Sequence, residues 1–549
     1  MHFSKNANRT GSINMSRIKK ILIANRGEIA VRVIRTARKL GIRTVAVYST
    51  VDSDSLHVAA ADEAWCIGET ELSETYLNIR VIVETAVETG CDAIHPGYGF
   101  LAENAAFVRA CVEAGLIFIG PDTESMRIMG NKIEARDFVR KIGIPMTAGI
   151  SGTPAALKAA AASIGFPVLL KAAAGGGGKG MKIVYRDEEL DDAIESAARQ
   201  AKAYFGDDTV YIEKYIEEPR HIEIQILGDH YGNVIHLFER ECSIQRRYQK
   251  IIEESPSPTL TPEVREQMGS AAVAIGKAIG YRNAGTIEFL VDKNLQFYFL
   301  EMNTRIQVEH PVTEMVTGID IVEEQILIAS GVPLRYRQDE LFQRGHAIEC
   351  RVYAEDPADN FAPSPGKMTL YHEPDLTGIR IDTGITANTE IKSLFDPMIS
   401  KLITTGKDRY DAAHRMLLAL QDYTIHGIKN NILFLKAVLQ SDAFAENAIS
   451  TRFCDEHTGT LNASIMSNRE NIPVHIPVIG YLVGTLKKES RIPAATAKPG
   501  HIWKETGFWR NRMEISIFCE EQEVKVYVPG YYSDRSEEHT SELQSPNTI

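Results

Sequence analysis

The chain has 549 residues with 60 Lys+Arg against 73 Asp+Glu, a formal charge of −13, and 44% apolar and 24% charged residues. That length provides for several domains, and the composition excludes a mostly disordered chain. The acidic balance excludes a protein whose main business is coating nucleic acid or an anionic membrane, while leaving room for a local basic site. Seven cysteines, at 66, 91, 111, 242, 350, 454 and 519, are scattered without a CxxC pair. They read as reduced thiols of a cytoplasmic chain, with neither a disulfide framework nor a structural zinc site. No apolar run approaches the ~20 residues of a membrane span. The opening MHFSKNANRTGSINM lacks the apolar stretch of a secretory signal; residues 1–15 are expected to be a disordered leader, or the product of a start codon placed upstream of Met15.

From Ile18 the pattern is α/β. KKILIANRG is an apolar strand ending at Gly27, EIAVRVIRTARKLG an amphipathic helix closed by Gly41, and RTVAVYS a second strand. YLNIRVIVETAVETG, DAIHPGYGF, NAAFVRACVEAG and IFIGP continue as helix, strand with glycine-rich loop, helix and strand. This alternation predicts a parallel, doubly wound sheet whose sites lie at the carboxyl ends of its strands. The turns Asn25–Glu28 and His95–Gly99 are therefore candidate site loops.

The next block changes character. NKIEARDFVRKIG is a helix, and PVLLKAAAGGGGKGMKIVY reads as strand, glycine loop, strand. A long helix (EELDDAIESAARQAKAYFG) and the strand VYIEKYI follow; then HIEIQILGD, NVIHLFERE, GTIEFLVD and LQFYFLEMN alternate as antiparallel strands with one face buried. A third region, from GHAIECRVYAEDP to about Arg452, mixes strands with the helix RYDAAHRMLLALQDY. Residues 457–500 are looser, with Asn, Ser and Pro breaks, and HIWKETGFWR, MEISIFCE and EVKVYVP suggest strands of an unfinished domain.

The run Gly175–Gly180 formally fits G-x-G-x-x-G, but that fingerprint should open a helix and a strand-like MKIVY follows. A P-loop also fails, because Lys179 precedes Gly180 rather than Ser or Thr. Two readings stay open: a flexible hairpin, or a flap whose backbone N–H groups close over a nucleotide's phosphates, with Lys171 and Lys179 adding charge.

A phosphate flap calls for a metal. Glu288 and Glu301 sit near the ends of two apolar strands a hairpin apart, and Asn303 shares a face with Glu301. Two carboxylates and an amide suit magnesium, which keeps water and phosphate oxygens as further ligands; taken singly they read as edge-strand charges. In Thr304–Pro311, TRIQVEHP, the side chains of Arg305, Gln307 and Glu309 project to one side if the segment is extended. A guanidinium and an amide can clamp a small planar oxyanion while the carboxylate accepts its proton. ECSIQRRYQK (Glu241–Lys250) adds a positive patch whose bland reading is a solvated loop.

These residues, in this order, resemble the biotin carboxylase component of biotin-dependent carboxylases, members of the ATP-grasp superfamily. The resemblance covers about residues 16–456 through ILIANRGEIA, HPGYGFLAEN, FIGP, KAAAGGGGKGM, EKYIEEPRHIEIQ, ECSIQRRYQK, EMNTRIQVEHPVTEM, GHAIECRVYAEDP and FAPSPGK. It implies a Rossmann-like N-terminal domain (16–130), an ATP-grasp domain (131–342, flap about 147–218) and a biotin carboxylase C-terminal domain (343–456). The implied reaction uses ATP to activate bicarbonate as carboxyphosphate and then carboxylates the ureido nitrogen of biotin. By the resemblance, Lys132, Lys171 and His221 contact ATP phosphates or ribose, Gly176, Gly177 and Gly178 close over them, Glu213, Lys214 and Ile216 line the adenine pocket, and Gln245 completes the ATP set. Glu288, Glu301 and Asn303 hold magnesium or manganese; Lys250, Arg305, Gln307 and Val308 hold bicarbonate; Glu309 deprotonates it; and Arg351 stabilises the biotin enolate. Tyr248 stands where many relatives have His, and no proton transfer is assigned to it.

The resemblance also implies partners: a biotin carboxyl carrier domain, an acyl-CoA carboxyltransferase subunit, and a homodimer or larger assembly. No Ala-Met-Lys-Met attachment motif occurs, so biotin is expected in trans. The tail RSEEHTSELQS (535–545) resembles the conceptual translation of a sequencing-library adapter. Residues 535–549 are set aside accordingly, and 457–534 are expected to begin an incomplete linking domain of a truncated alpha subunit. Three alternatives compete. TRIQVEHP and GHAIECR oppose another ATP-grasp ligase. ANRGEIAVR, which is no dinucleotide fingerprint, opposes a nicotinamide oxidoreductase. The intact Arg305, Glu309 and Arg351 oppose a noncatalytic assembly subunit.

Overall fold

The computed structural model describes residues 18–172, 181–205, 209–387 and 389–470, short stretches between 473 and 482, and strands 512–519 and 522–529. The expected leader, Gly176, Gly177 and Gly178, the strand HIWKETGFWR and the adapter-like tail lie outside the described residues. The chain divides into two units, residues 1–462 and 463–549.

In the first unit, strands Glu63–Cys66, Arg43–Tyr48, Lys20–Ile23, Ala93–His95 and Ile117–Phe118 form, in that spatial order, a parallel sheet. Its central strands are continuous apolar runs, with Ile21, Leu22, Ile23, Val45 and Ile94 fully buried, because crossover helices cover both faces. Gly27 takes φ +65° where the first strand turns into helix Gly27–Lys39, a conformation that favours glycine. That turn leaves Asn25–Glu28 at the carboxyl end of the sheet, as the alternation predicts.

A small antiparallel sheet follows, ordered Gly149–Ser151, Val210–Lys214, Val168–Ala172 and Lys182–Val184. Helices Pro154–Ile164 and Leu190–Phe205 cover it through Leu157, Ala161 and Ile194.

The largest sheet has eight antiparallel strands, ordered Phe297–Asn303, Asn283–Val291, Arg220–Gly228, Val234–Arg246, Gln249–Ser255, His346–Tyr353, Met398–Gly406 and Ile379–Thr383. Gln249–Ser255 pairs with His346–Tyr353, so the central and third regions share one unbroken sheet. Here the solvated-loop reading of ECSIQRRYQK is corrected. The segment is the end of one strand and the start of the next, joined by a two-residue turn at Arg247 and Tyr248 (φ +48° and +69°), the twist-matched hairpin geometry. Gln245 is buried and Lys250 nearly so.

Residues 457–470 are corrected too. They continue helix Phe453–Glu470, since no proline interrupts the chain before Pro473. In the second unit, Arg512–Cys519 and Gln522–Pro529 pair as an antiparallel hairpin, matching the strands expected there. Among the described residues no helix is long and apolar enough to cross a membrane.

Candidate active site

A cavity of about 1200 Å³ opens where the three larger sheets of the first unit meet. Every described residue to which the resemblance gives a role lines it: Lys132, Lys171, Glu213, Lys214, Ile216, His221, Gln245, Lys250, Glu288, Glu301, Asn303, Arg305, Gln307, Val308, Glu309 and Arg351; of the expected site loop His95–Gly99, only Tyr98 and Gly99 do. The turns Asn25–Glu28 and Tyr98–Phe100 close another side.

Its centre is a chain of buried charges. The Lys250 ammonium donates to Glu223 (2.6 Å), Glu288 (2.9 Å) and Glu309 (2.6 Å). Burial alone would lower its pKa; the three carboxylates outweigh that and hold it well above the ordinary lysine value. The Arg351 guanidinium donates to the other Glu309 oxygen at 3.0 Å and to Glu253 at 2.6 Å. Burial would raise the Glu309 pKa, but Lys250, Arg351 and Arg240 hold it below the usual carboxylate range. Glu309 is therefore ionised at neutral pH. Arg240, fully buried, donates to Glu223, Gln225 and Thr313 from beneath.

Residues 304–309 are irregular rather than extended, and Pro311 at the start of helix His310–Thr317 turns the chain. The three side chains still converge. Arg305 donates to the Gln307 side-chain amide oxygen Oε1 at 2.7 Å, the Gln307 amide nitrogen donates to Glu288 at 2.9 Å, and Glu288 shares Lys250 with Glu309. Glu103 accepts from Arg305 at 2.8 Å and orients it.

Glu288 and Glu301 are direct cross-strand partners. Like charges placed so are unfavourable without a cation between them, and burial followed by the Glu288 charge raises the Glu301 pKa. The Asn303 amide Nδ2 is buried with no protein partner, while its carbonyl oxygen accepts from Arg305 at 3.0 Å. Two opposed carboxylates and an amide oxygen fit a hard divalent cation. His221 stands 3.1 Å from Glu288 and 2.9 Å from Gln245.

On the small sheet, Lys171 pairs with Glu213 at 2.6 Å, and Glu213 also meets Arg136 at 3.2 Å and Thr147 at 2.7 Å. Burial raises and these cations lower the Glu213 pKa, with the net shift downward. The Lys214 ammonium donates to the Gly165 and Phe166 carbonyls. Lys132 approaches Glu301 at 3.8 Å.

Sequence reasoning missed Glu223, Arg240, Glu253 and Glu103. The first three carried a signal: a charge inside an otherwise apolar strand (HIEIQ, FERE, IIEES), which is stable only beside a partner. Glu103, in a loop, carried none.

Family models match in chain order: biotin carboxylase N-terminal domain over residues 17–126, carbamoyl-phosphate synthase L chain ATP-binding domain over 131–337, and biotin carboxylase C-terminal domain over 349–456. Biotin carboxylase 1 of Bacillus subtilis (strain 168) is 52% identical over 444 residues, 80% of this chain and 99% of that protein. The mitochondrial propionyl-CoA carboxylase alpha chain of Homo sapiens is 50% identical over 81% of this chain, which spans only 62% of that relative. The crystal structure of the biotin carboxylase domain dimer of Hydrogenobacter thermophilus 2-oxoglutarate carboxylase, in complex with MgADP, ADP and bicarbonate, matches with a TM-score of 0.78 and 48% identity, covering 81% of this chain and 99% of that one.

Proposed function

The chain belongs to the biotin carboxylase family, ATP-dependent ligases that carboxylate biotin using bicarbonate, and we propose that the cavity just described is where this chain performs that reaction. The observation that carries the reading is Glu309: a buried carboxylate gripped by Lys250 on one oxygen and Arg351 on the other.

Lys132, Lys171 and His221 bind the ATP phosphates or ribose, to which Gly176, Gly177 and Gly178 also contribute; Glu213, Lys214, Ile216 and Gln245 complete the nucleotide pocket. Glu288, Glu301 and Asn303 hold magnesium, which when bound neutralises phosphate charge. Lys250, Arg305, Gln307 and Val308 receive bicarbonate. As the anion enters it competes for the Lys250 and Arg351 donors. Glu309 then loses part of the cationic field that depresses its pKa, and it becomes a base strong enough to take the bicarbonate proton. The bicarbonate oxygen attacks the γ-phosphorus, ADP leaves, and carboxyphosphate forms. Its carboxyl group passes to the ureido nitrogen of biotin, the departing phosphate takes up the proton that nitrogen loses, and Arg351 faces the ureido oxyanion. Exclusion of water protects the acyl phosphate, consistent with a site whose Glu309, Gln307 and Arg351 are buried.

Biotin arrives on a carrier domain, and an acyl-CoA carboxyltransferase consumes the carboxybiotin; a homodimer is the proposed assembly. The test is Glu309→Gln. ATP affinity by calorimetry should be retained and bicarbonate-dependent ADP release should fall by about 10²–10⁴-fold. Near-normal turnover would overturn the assignment.

A further inference from the structure

Across the sheet from Arg351 stands a lysine that the roles above leave unused. Lys401, on strand Met398–Gly406, is fully buried. Register places it directly opposite Arg351 on one neighbouring strand and Asp382 on the other. Its ammonium donates to the Val308 carbonyl at 2.9 Å, pairs with Glu28 at 3.1 Å, and lies 4.0 Å from Asp382. Glu28 in turn accepts from the Tyr98 hydroxyl, and both line the cavity. One ammonium thus joins the first helix of the parallel sheet, the loop that enters helix His310–Thr317, and the third region.

A lysine is seldom fully buried, and its charge there is unfavourable unless partnered; an apolar side chain could fill the same space. The contacts say what the charge does. Val308 and Glu309 immediately precede the helix, and Glu309 makes no side-chain cap bond of its own, so nothing in helix capping fixes its carboxylate. Further along, Glu314 is held by Arg32 at 2.8 Å and Arg380 at 2.7 Å. The helix behind Glu309 is therefore tied just ahead of its start by Lys401 and at its middle by Arg32 and Arg380.

We propose that Lys401 is a positioning residue for the bicarbonate pocket, fixing the Val308–Glu309 peptide directly and the Tyr98 side of the cavity through Glu28. The inference rests on the reading of Glu309 and its neighbours as the bicarbonate site.

The test uses Lys401→Met, and Lys401→Met/Glu28→Gln, in which the carboxylate stripped of its partner is removed as well. Steady-state KM for bicarbonate and ATP affinity by calorimetry are measured with urea unfolding as the check on folding. The expected result, in whichever variant folds, is a rise of about tenfold or more in bicarbonate KM or an equal fall in kcat/KM, with ATP affinity within about twofold. Unchanged bicarbonate kinetics in a folded variant would overturn the inference. So would equal loss of ATP and bicarbonate binding, or failure of both variants to fold, since each makes Lys401 a general support of the sheet. Glu309→Gln, run alongside, separates the two levels. If it keeps bicarbonate-dependent turnover, the site reading itself is wrong; if it loses turnover while the Lys401 variants do not, only the Lys401 role is.

Discussion

The strands of the parallel sheet bury Ile21, Leu22 and Val45, whereas the strands of the eight-stranded sheet bury Glu223, Arg240, Glu253 and Lys401 to the same degree. In the first, close packing of aliphatic side chains supplies stability directly, at about 25 cal/mol per Å² removed from water. In the second, each charge needs a partner: Arg240 has Glu223, Arg351 has Glu253 and Glu309, Lys401 has Glu28. Buried ion pairs of this kind often contribute less than an apolar core of the same volume, yet breaking one is strongly destabilising. The contrast teaches that the first sheet is built to hold its shape and the second to hold charge at fixed points around a cavity.

The comparison can be broken most severely at Lys250. Lys250→Met leaves Glu223, Glu288 and Glu309 without their shared cation, so stability by urea unfolding should fall by about 3–5 kcal/mol and bicarbonate-dependent turnover should vanish with it. A variant as stable as the parent would show that the charges are not coupled. Next is Arg351→Ala, expected to reduce biotin carboxylation by about 3 kcal/mol and bicarbonate-dependent ATP cleavage much less, read from separate carboxybiotin and ADP assays. Equal damage to both would count against its role.

In the parallel sheet, Ile21→Val should remove about 0.5–1.5 kcal/mol of stability while every KM stays unchanged, since no charge depends on it. The smallest effect is one of pH. Burial, only partly offset by Arg351, pushes the Glu253 carboxyl up from 4.5 to about 7. The folded state therefore binds a proton more tightly than the unfolded one. This favours folding fully below the unfolded value and is lost as pH rises from 4.5 through 7. Glu253→Gln should flatten that decline in urea midpoints between about pH 5 and 7.5; an unaltered slope would place the titration elsewhere.

What the sequence made legible follows the same division. Apolar periodicity marks the parallel sheet and its turns because each strand and helix states its own burial locally. Glu288, Glu301 and Asn303 were readable because strand alternation puts them on one face. Lys250 could not be told from a solvated loop residue by its surroundings in the chain: the three carboxylates that bury it come from 27, 38 and 59 residues away. The resemblance to biotin carboxylases named Lys250 where local pattern could not. Lys401 is further from reach, since its contacts with Val308 and Glu28 exist only once three separate segments have packed. Tyr248 lies at a hairpin tip, is 58% exposed and lines the cavity, so its side chain is free of the core packing that fixes its neighbours.

The central claim is that bicarbonate, activated at Glu309, attacks ATP to form carboxyphosphate. Its most direct measurement supplies ¹⁸O-labelled bicarbonate with magnesium ATP and biotin and follows the label by mass spectrometry of the inorganic phosphate released. Transfer of one ¹⁸O into phosphate, abolished in Glu309→Gln, is the predicted result. Phosphate free of label while carboxybiotin accumulates would contradict the account.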